Sequence, residues 1–241
     1  MRRFFIEELK YISSAGSLLK PSDDIMHRIR NVLRFKDGDE IEFIDGKGLL
    51  IYAKFLQDSS SFQVISSQNI IKTKPLLAVA VSLIRRERFD LLVEKAVELG
   101  VDMIIPVETE RSRPFDVSSY PKLCERWQRI ADQTLSQCKR VFRTKINDVI
   151  KISDLNKLED FSKKIYFDFG KPSFRECKFI SDDLGKSQSC VFIVGPEGGF
   201  TESEKKMMDE MKVESYSLTE DILRTETAVF YVLSVFRYQT E

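Results

Sequence analysis

Two rhythms of apolar residues divide the chain near Lys72. Before that point the pattern favours strands. Gly38-Asp39-Glu40-Ile41-Glu42-Phe43-Ile44 alternates polar with apolar positions, and Asp45-Gly46-Lys47-Gly48 supplies hairpin chemistry directly after it. Leu49 to Leu56 and Phe62 to Ile65 read as two further strands, parted by Gln57-Asp58-Ser59-Ser60-Ser61. Several short strands in so small a unit predict a compact barrel over residues 1–72. Asp24 to Phe35 breaks the rhythm, with Ile25, Ile29, Val32 and Leu33 at helical spacing. His27, the chain's single histidine, falls in that segment and reads as a structural or surface residue, not a catalyst.

Ile70-Ile71-Lys72-Thr73-Lys74-Pro75 reads as a linker, and residues 73–241 change character. Leu76 to Val81 is a continuous apolar strand. Phe89, Leu92, Val93, Ala96 and Val97 mark one face of a helix that Gly100 closes. Val101 to Val107 is the next strand, and Lys122 to Cys138 the next helix, with Leu123, Trp127, Ile130, Thr134 and Leu135 on one side. Further strands are expected at Lys164 to Phe169 and Cys190 to Val194. This alternation predicts an α/β fold with a parallel sheet wrapped by helices. The last helix, about Glu226 to Tyr238, is apolar nearly all round, so it needs cover from the core or from a second subunit.

The chemistry concentrates at Gly195-Pro196-Glu197-Gly198-Gly199-Phe200. A strand apolar on both faces stops at Gly195; Pro196 fixes φ, and the glycines admit positive φ and close approach of a ligand. Thr201 and Glu204 have capping-box spacing, so a helix follows at once. Strand, glycine turn and helix N-terminus together can build a ligand site at the carboxyl edge of an open sheet, or the stretch can be a tight strand-to-helix turn that holds no ligand. The turn lacks both the Gly-Lys-Ser/Thr of a phosphate loop and the Gly-x-Gly-x-x-Gly of a dinucleotide fold. Ser215-Tyr216-Ser217-Leu218, a polar loop and Leu223-Arg224-Thr225-Glu226-Thr227-Ala228 repeat the same logic.

Composition narrows the function classes. Of 241 residues, 42% are hydrophobic, enough for a core, while 32% are charged and no run approaches the roughly 20 apolar residues of a membrane span. Met1-Arg2-Arg3-Phe4-Phe5-Ile6 runs into acidic residues and lacks the apolar core of a signal peptide, so a cytoplasmic location is expected. Cys124, Cys138, Cys177 and Cys190 are widely spaced, which suits reduced thiols and, with one histidine, argues against a metal site. Net charge is zero, yet Arg111 to Lys145 carries nine basic residues against three acids, a local balance of +6. Such a stretch can attract a polyanion or serve simply as a solvated helix face.

Taken together, these motifs resemble the bacterial 16S ribosomal RNA uridine-N3 methyltransferases, the RsmE family of the SPOUT superfamily. Besides the two loops, the likeness covers Arg2-Arg3-Phe4-Phe5, Val32-Leu33-Arg34, Gly38-Asp39-Glu40-Ile41, Glu94 to Val101 and Glu110-Arg111-Ser112. The resemblance implies a PUA-like RNA-binding β-barrel domain over 1–72, then a SPOUT methyltransferase domain over 73–241 with a C-terminal trefoil knot. It further implies a homodimer that uses S-adenosylmethionine on 16S rRNA of the small ribosomal subunit. Two positions depart from the family. Thr219 follows Leu218 where glycine is usual, and Lys139 stands for glycine in Gln137-Cys138-Lys139-Arg140.

By the same likeness, Gly195, Glu197, Gly198, Gly199, Leu218, Ile222, Leu223, Thr225 and Thr227 contact the cofactor. Arg2, Arg3, Arg34, Arg111, Arg113, Lys139 and Arg143 contact RNA. Uridine N3 must lose its imide proton before it can accept a methyl group. Arg224 and Arg140 are therefore candidates to stabilise the uridine anion, and Glu197 or Glu226 to accept the proton. Two other readings stand beside this one: a SPOUT enzyme acting on another RNA or at a ribose 2′-hydroxyl, and a non-catalytic RNA-binding protein. The intact Gly198-Gly199 and Arg224-Thr225-Glu226-Thr227 argue against the last.

Overall fold

In the computed structural model, residues 2–7, 9, 15–177 and 188–240 are described. The chain forms two compact units, one of residues 1–72 with 135–143, the other of 73–134 with 144–241.

The first unit holds β1 (Arg2–Phe5), β2 (Leu18–Leu19), α1 (Asp23–His27), β3 (Glu40–Ile44), β4 (Leu49–Leu56) and β5 (Ser61–Asn69). They form a five-stranded sheet in the order β1-β3-β4-β5-β2. The helical pattern at 24–35 yields only α1, continued by a widened π-turn at Arg28–Val32. Ile29 is fully buried there, whereas Val32 is exposed. The core of this unit gathers Phe4, Ile41, Phe43, Ile51, Phe55 and Phe62, with the rings of Phe43 and Phe62 edge to face at 5.0 Å.

Residues 135–143 join this unit through apolar contact and through Arg3. Leu135 and Val141 pack with Ile44, Leu50 and Phe5. Arg3 donates from Nε to Glu42 at 2.8 Å and from Nη1 to the carbonyls of Lys139 and Arg140. Only 6% of the Arg3 side chain and 9% of Glu42 are exposed. Arg3 is therefore a buried ion-pair partner, which corrects its expected place on an RNA-facing surface.

The second unit contains β6 (Leu77–Ser82), α2 (Arg86–Glu98), β7 (Met103–Glu108), α3 (Tyr120–Gln137, whose last residues belong to the first unit), β8 (Lys145–Ile146) and β9 (Ile150–Lys151). It continues with β10 (Lys163–Phe167), β11 (Cys190–Val194), α4 (Glu202–Glu210), β12 (Glu214–Tyr216) and α5 (Thr225–Thr240). The strands lie in the order β12-β10-β11-β6-β7-β8, with β9 also on β7, and every pairing is parallel. β6 and β11 are buried at every position, as strands covered on both faces must be. Val191 and Ile193 join a core with Met208 of α4, while Phe192 points the other way onto Phe236 of α5, 5.5 Å between ring centroids.

The expected α/β class with a parallel sheet is what forms. β10 ends at Phe167, so Phe169 lies beyond the strand and is exposed. α5 starts one residue earlier than its apolar pattern, at Thr225, and buries Ala228, Val229, Val232, Leu233 and Phe236, leaving Tyr238 exposed.

Candidate active site

Three strand ends meet at one edge of the parallel sheet. β10, β11 and β12 are neighbours, and the loops that leave their carboxyl ends line a cavity of about 270 Å³. Phe167, Asp168 and Phe169 come from the first loop, Val194 to Phe200 from the second, and residues between Ser217 and Leu223 from the third. Thr225 and Ala228 of α5 complete the lining.

The glycine turn has a separate reason for each glycine. Gly199 has φ +68° and donates its N–H to the Pro196 carbonyl at 2.9 Å, closing the turn. A side chain there would adopt the left-handed backbone that L-residues avoid, although no atom stands within 4 Å of its Cβ. A Cβ on Gly195 would lie 3.0 Å from the Phe200 ring. Gly198 rests against the stem of Arg111, whose Nη1 donates to the Gly198 carbonyl at 2.9 Å.

α4 opens on the predicted capping box. Thr201 Oγ1 accepts from the Glu204 N–H at 3.3 Å, and Glu204 accepts from the Thr201 N–H at 2.8 Å. The second oxygen of Glu204 accepts from the Glu110 N–H at 2.8 Å, so the buried carboxylate also fixes the loop after β7. On the opposite side of the turn, Thr225 Oγ1 donates to the Gly195 carbonyl at 2.9 Å. Arg88 of α2 pairs with Glu197 and lies 3.8 Å from Glu226. The second oxygen of Glu226, Oε2, is buried and meets no hydrogen-bond partner among the described residues.

The third loop holds its own shape. Ser217 Oγ donates to the Thr219 carbonyl at 3.0 Å, and Thr219 Oγ1 to the Asp221 carbonyl at 2.7 Å. Thr219 is not among the residues with positive φ, so a threonine serves at this position without strain. Lys139 differs: it has φ +58° just past the end of α3, the left-handed position in which glycine is preferred.

Comparison with known proteins gives this geometry a family. Residues 72–237 match the model of the RNA methyltransferase domain family. The ribosomal RNA small subunit methyltransferase E of Bacillus subtilis (strain 168) is 30% identical over 250 residues, covering 100% of this chain and 98% of that protein. The chain belongs to the small subunit methyltransferase E family of RNA methyltransferases. Another member, from Buchnera aphidicola subsp. Schizaphis graminum, is 26% identical over 95% of this chain and 94% of its own. The fold agrees with the crystal structure of the methyltransferase E of Neisseria gonorrhoeae bound to S-adenosyl methionine, with a TM-score of 0.85 and 27% identity over 99% of this chain and 97% of that one.

Within this methyltransferase E fold, Gly195, Glu197, Gly198, Gly199, Leu218, Ile222, Leu223 and Thr225 all line the cavity. Ile222 does so while 85% exposed. Thr227 does not line it and is exposed. At about 100° per residue, position 227 lies roughly 200° around the helix from Thr225, while Ala228 comes back to the cavity side. Arg224 is exposed and its carbonyl accepts from the Ala228 N–H at 2.8 Å. Arg140 belongs to the first unit.

Among the expected RNA contacts, Arg2, Arg34, Arg111, Arg113 and Lys139 are exposed. Arg143 is half-buried; it pairs with Glu7 at 2.7 Å and lies over the Phe5 ring. Two residues of the site had no motif to mark them. Asp168 lines the cavity and holds Lys205 at 2.7 Å, a contact that raises the Lys205 pKa above its ordinary value. Its only sequence signal is an acid just past an apolar strand. Arg88 had none, since its partners lie more than a hundred residues away.

No helix among the described residues is long and apolar enough to cross a membrane. No group of three His, Cys, Asp or Glu among them could hold a metal ion.

Proposed function

We propose that this protein uses S-adenosylmethionine to methylate N3 of a decoding-region uridine near the 3′ end of 16S rRNA, within the assembled small ribosomal subunit. The charge of the cavity carries the reading. Asp168, Glu197 and Asp221 line it and no lysine or arginine does among the described residues, while Lys205 and Arg88 pair with Asp168 and Glu197 from behind the lining. Such a lining disfavours the phosphates of a nucleotide and suits a ligand with a sulfonium and an ammonium group. The relatives named for small subunit rRNA methylation, and the related structure with S-adenosyl methionine bound, supply the substrate class.

Backbone groups of the three loops would hold adenine and ribose, with Leu218, Ile222 and Leu223 providing apolar contact. When bound, the cofactor supplies an electrophilic methyl group on a sulfonium. Arg224 and Arg140 would stabilise negative charge on the uracil oxygens once the N3 proton has left. Of the two candidate acceptors for that proton, Glu197 lines the cavity, whereas Glu226 lies behind it beside Arg88. Arg88 engages Glu197 and lies beside Oε1 of Glu226, whose Oε2 is buried with no hydrogen-bond partner among the described residues. Loss of the imide proton and methyl transfer consume an anion and a cation together, which a water-poor cavity favours.

Arg2, Arg34, Arg111, Arg113, Lys139 and Arg143 would dock the RNA through phosphate contacts that position it without reading its sequence. In this reading the first unit is a PUA-like barrel, the second carries the trefoil knot, and the exposed side of α5 joins two copies as a cytoplasmic homodimer. The test is nucleoside mass spectrometry of 16S rRNA. A deletion strain should lack one 3-methyluridine, and purified protein with cofactor should restore it on isolated small subunits. A missing 2′-O-methyl nucleoside instead would assign the ribose reaction.

A further inference from the structure

Arg88 sits in the first turn of α2 and reaches two carboxylates on separate elements. Its Nη1 donates to Oε1 of Glu197 on the glycine turn, and its Nε lies 3.8 Å from Oε1 of Glu226 in the first turn of α5. Glu226 is 10% exposed in its side chain and Arg88 27%, whereas Glu197 is 51% exposed. The guanidinium is therefore the cation between a buried carboxylate and one that lines the cavity.

We propose that Arg88 is a positioning residue for methyl transfer, tying Glu197 to Glu226 and so fixing the cofactor-binding shape of the glycine turn. This rests on the cofactor reading given above. Among the described residues the turn is otherwise held through its backbone, the Gly195 carbonyl by Thr225, the Gly198 carbonyl by Arg111 and the Pro196 carbonyl by the Gly199 N–H. Glu197 is its one charged side chain, and Arg88 keeps that side chain drawn to the protein instead of across the cavity mouth. The same guanidinium faces Oε1 of Glu226, whose Oε2 is buried with no hydrogen-bond partner among the described residues. A guanidinium suits this task because its N–H groups diverge in a rigid plane and it stays charged at any working pH. A lysine can satisfy either carboxylate in turn, but with one compact charge.

The full-length Arg88→Gln and Arg88→Lys proteins test this, with S-adenosylmethionine binding by calorimetry and steady-state methylation of small subunits. In Arg88→Gln the cofactor Kd and KM should rise about tenfold, while the KM for small subunits stays within twofold of wild type. Arg88→Lys should recover cofactor affinity to within about threefold. The double variant Arg88→Gln/Glu197→Ala should lose no more cofactor affinity than the worse single variant, since both break one contact. Unchanged cofactor affinity in Arg88→Gln would overturn the proposal. So would a raised small-subunit KM with normal cofactor affinity, which would make Arg88 a phosphate contact. Should Arg88→Gln fail to fold, Glu197→Ala alone decides, because normal cofactor binding in that variant would also overturn it. Failure of the wild-type protein to bind S-adenosylmethionine would instead sink the functional reading itself.

Discussion

Lys139 offers a test in which stability and RNA binding should move in opposite directions. Its φ of +58° puts a β-carbon in the left-handed region, which costs a non-glycine residue about 1–2 kcal/mol. The side chain is exposed, so replacing it sacrifices little packing. Glycine would relieve the strain but add about 0.4–1 kcal/mol of unfolded-state entropy. The net gain for Lys139→Gly is about 0.5–1 kcal/mol, or a rise of roughly 1–4 °C in Tm. Lys139→Ala removes the same charge but keeps the β-carbon, so its Tm should stay near wild type. Both variants should bind small subunits more weakly, with the slope of log K against log salt falling by roughly 0.7 if one phosphate contact is lost. Thermal unfolding by circular dichroism and filter binding across a salt series measure the two effects. Equal stability of the alanine and glycine variants would refute the strained backbone, and an unchanged salt slope would remove Lys139 from the RNA contacts.

Gly199→Val should abolish S-adenosylmethionine binding in calorimetry while Tm falls only a few degrees, because φ is +68° but the Cβ would meet no protein atom; wild-type affinity would mean that the cavity is not the cofactor site. Arg3→Ala should destabilise the first unit by about 3 kcal/mol in urea titration, since it strands the buried Glu42 carboxylate and frees the carbonyls of Lys139 and Arg140. Burial pushes the Cys190 thiol well above its ordinary pKa of 9.0. Above about pH 9 the unfolded chain therefore releases a proton that the folded chain keeps, and stability falls by up to about 1.4 kcal/mol per pH unit. Tm measured from pH 8 to 10.5 should show a steeper decline for wild type than for Cys190→Ala.

Local pattern was enough for everything that repeats along the chain. Five apolar residues in a row made Cys190–Val194 a strand covered on both faces, and Thr201 with Glu204 marked where α4 begins. The glycine turn and the Leu223-Arg224-Thr225 segment were legible as neighbouring loops, because strand ends of a parallel sheet leave their loops on one edge, and Leu223 and Thr225 line one cavity with the turn. Tertiary structure decided which charges meet. Arg3, expected to face RNA, is buried on Glu42, and Leu135 in the last turn of α3 and Val141 beyond it pack with Ile44 and Leu50 in the first unit. Thr227 belongs to the same motif as Thr225 yet turns away from the cavity, while Asp168 joins it from a loop with no motif. Arg88, Glu197 and Glu226 come together from three elements. Periodicity reports which face of a segment is apolar, and it does so residue by residue. The partner of a charge is a distance in space, set only when β10, β11 and β12 lie side by side and the helices close over them.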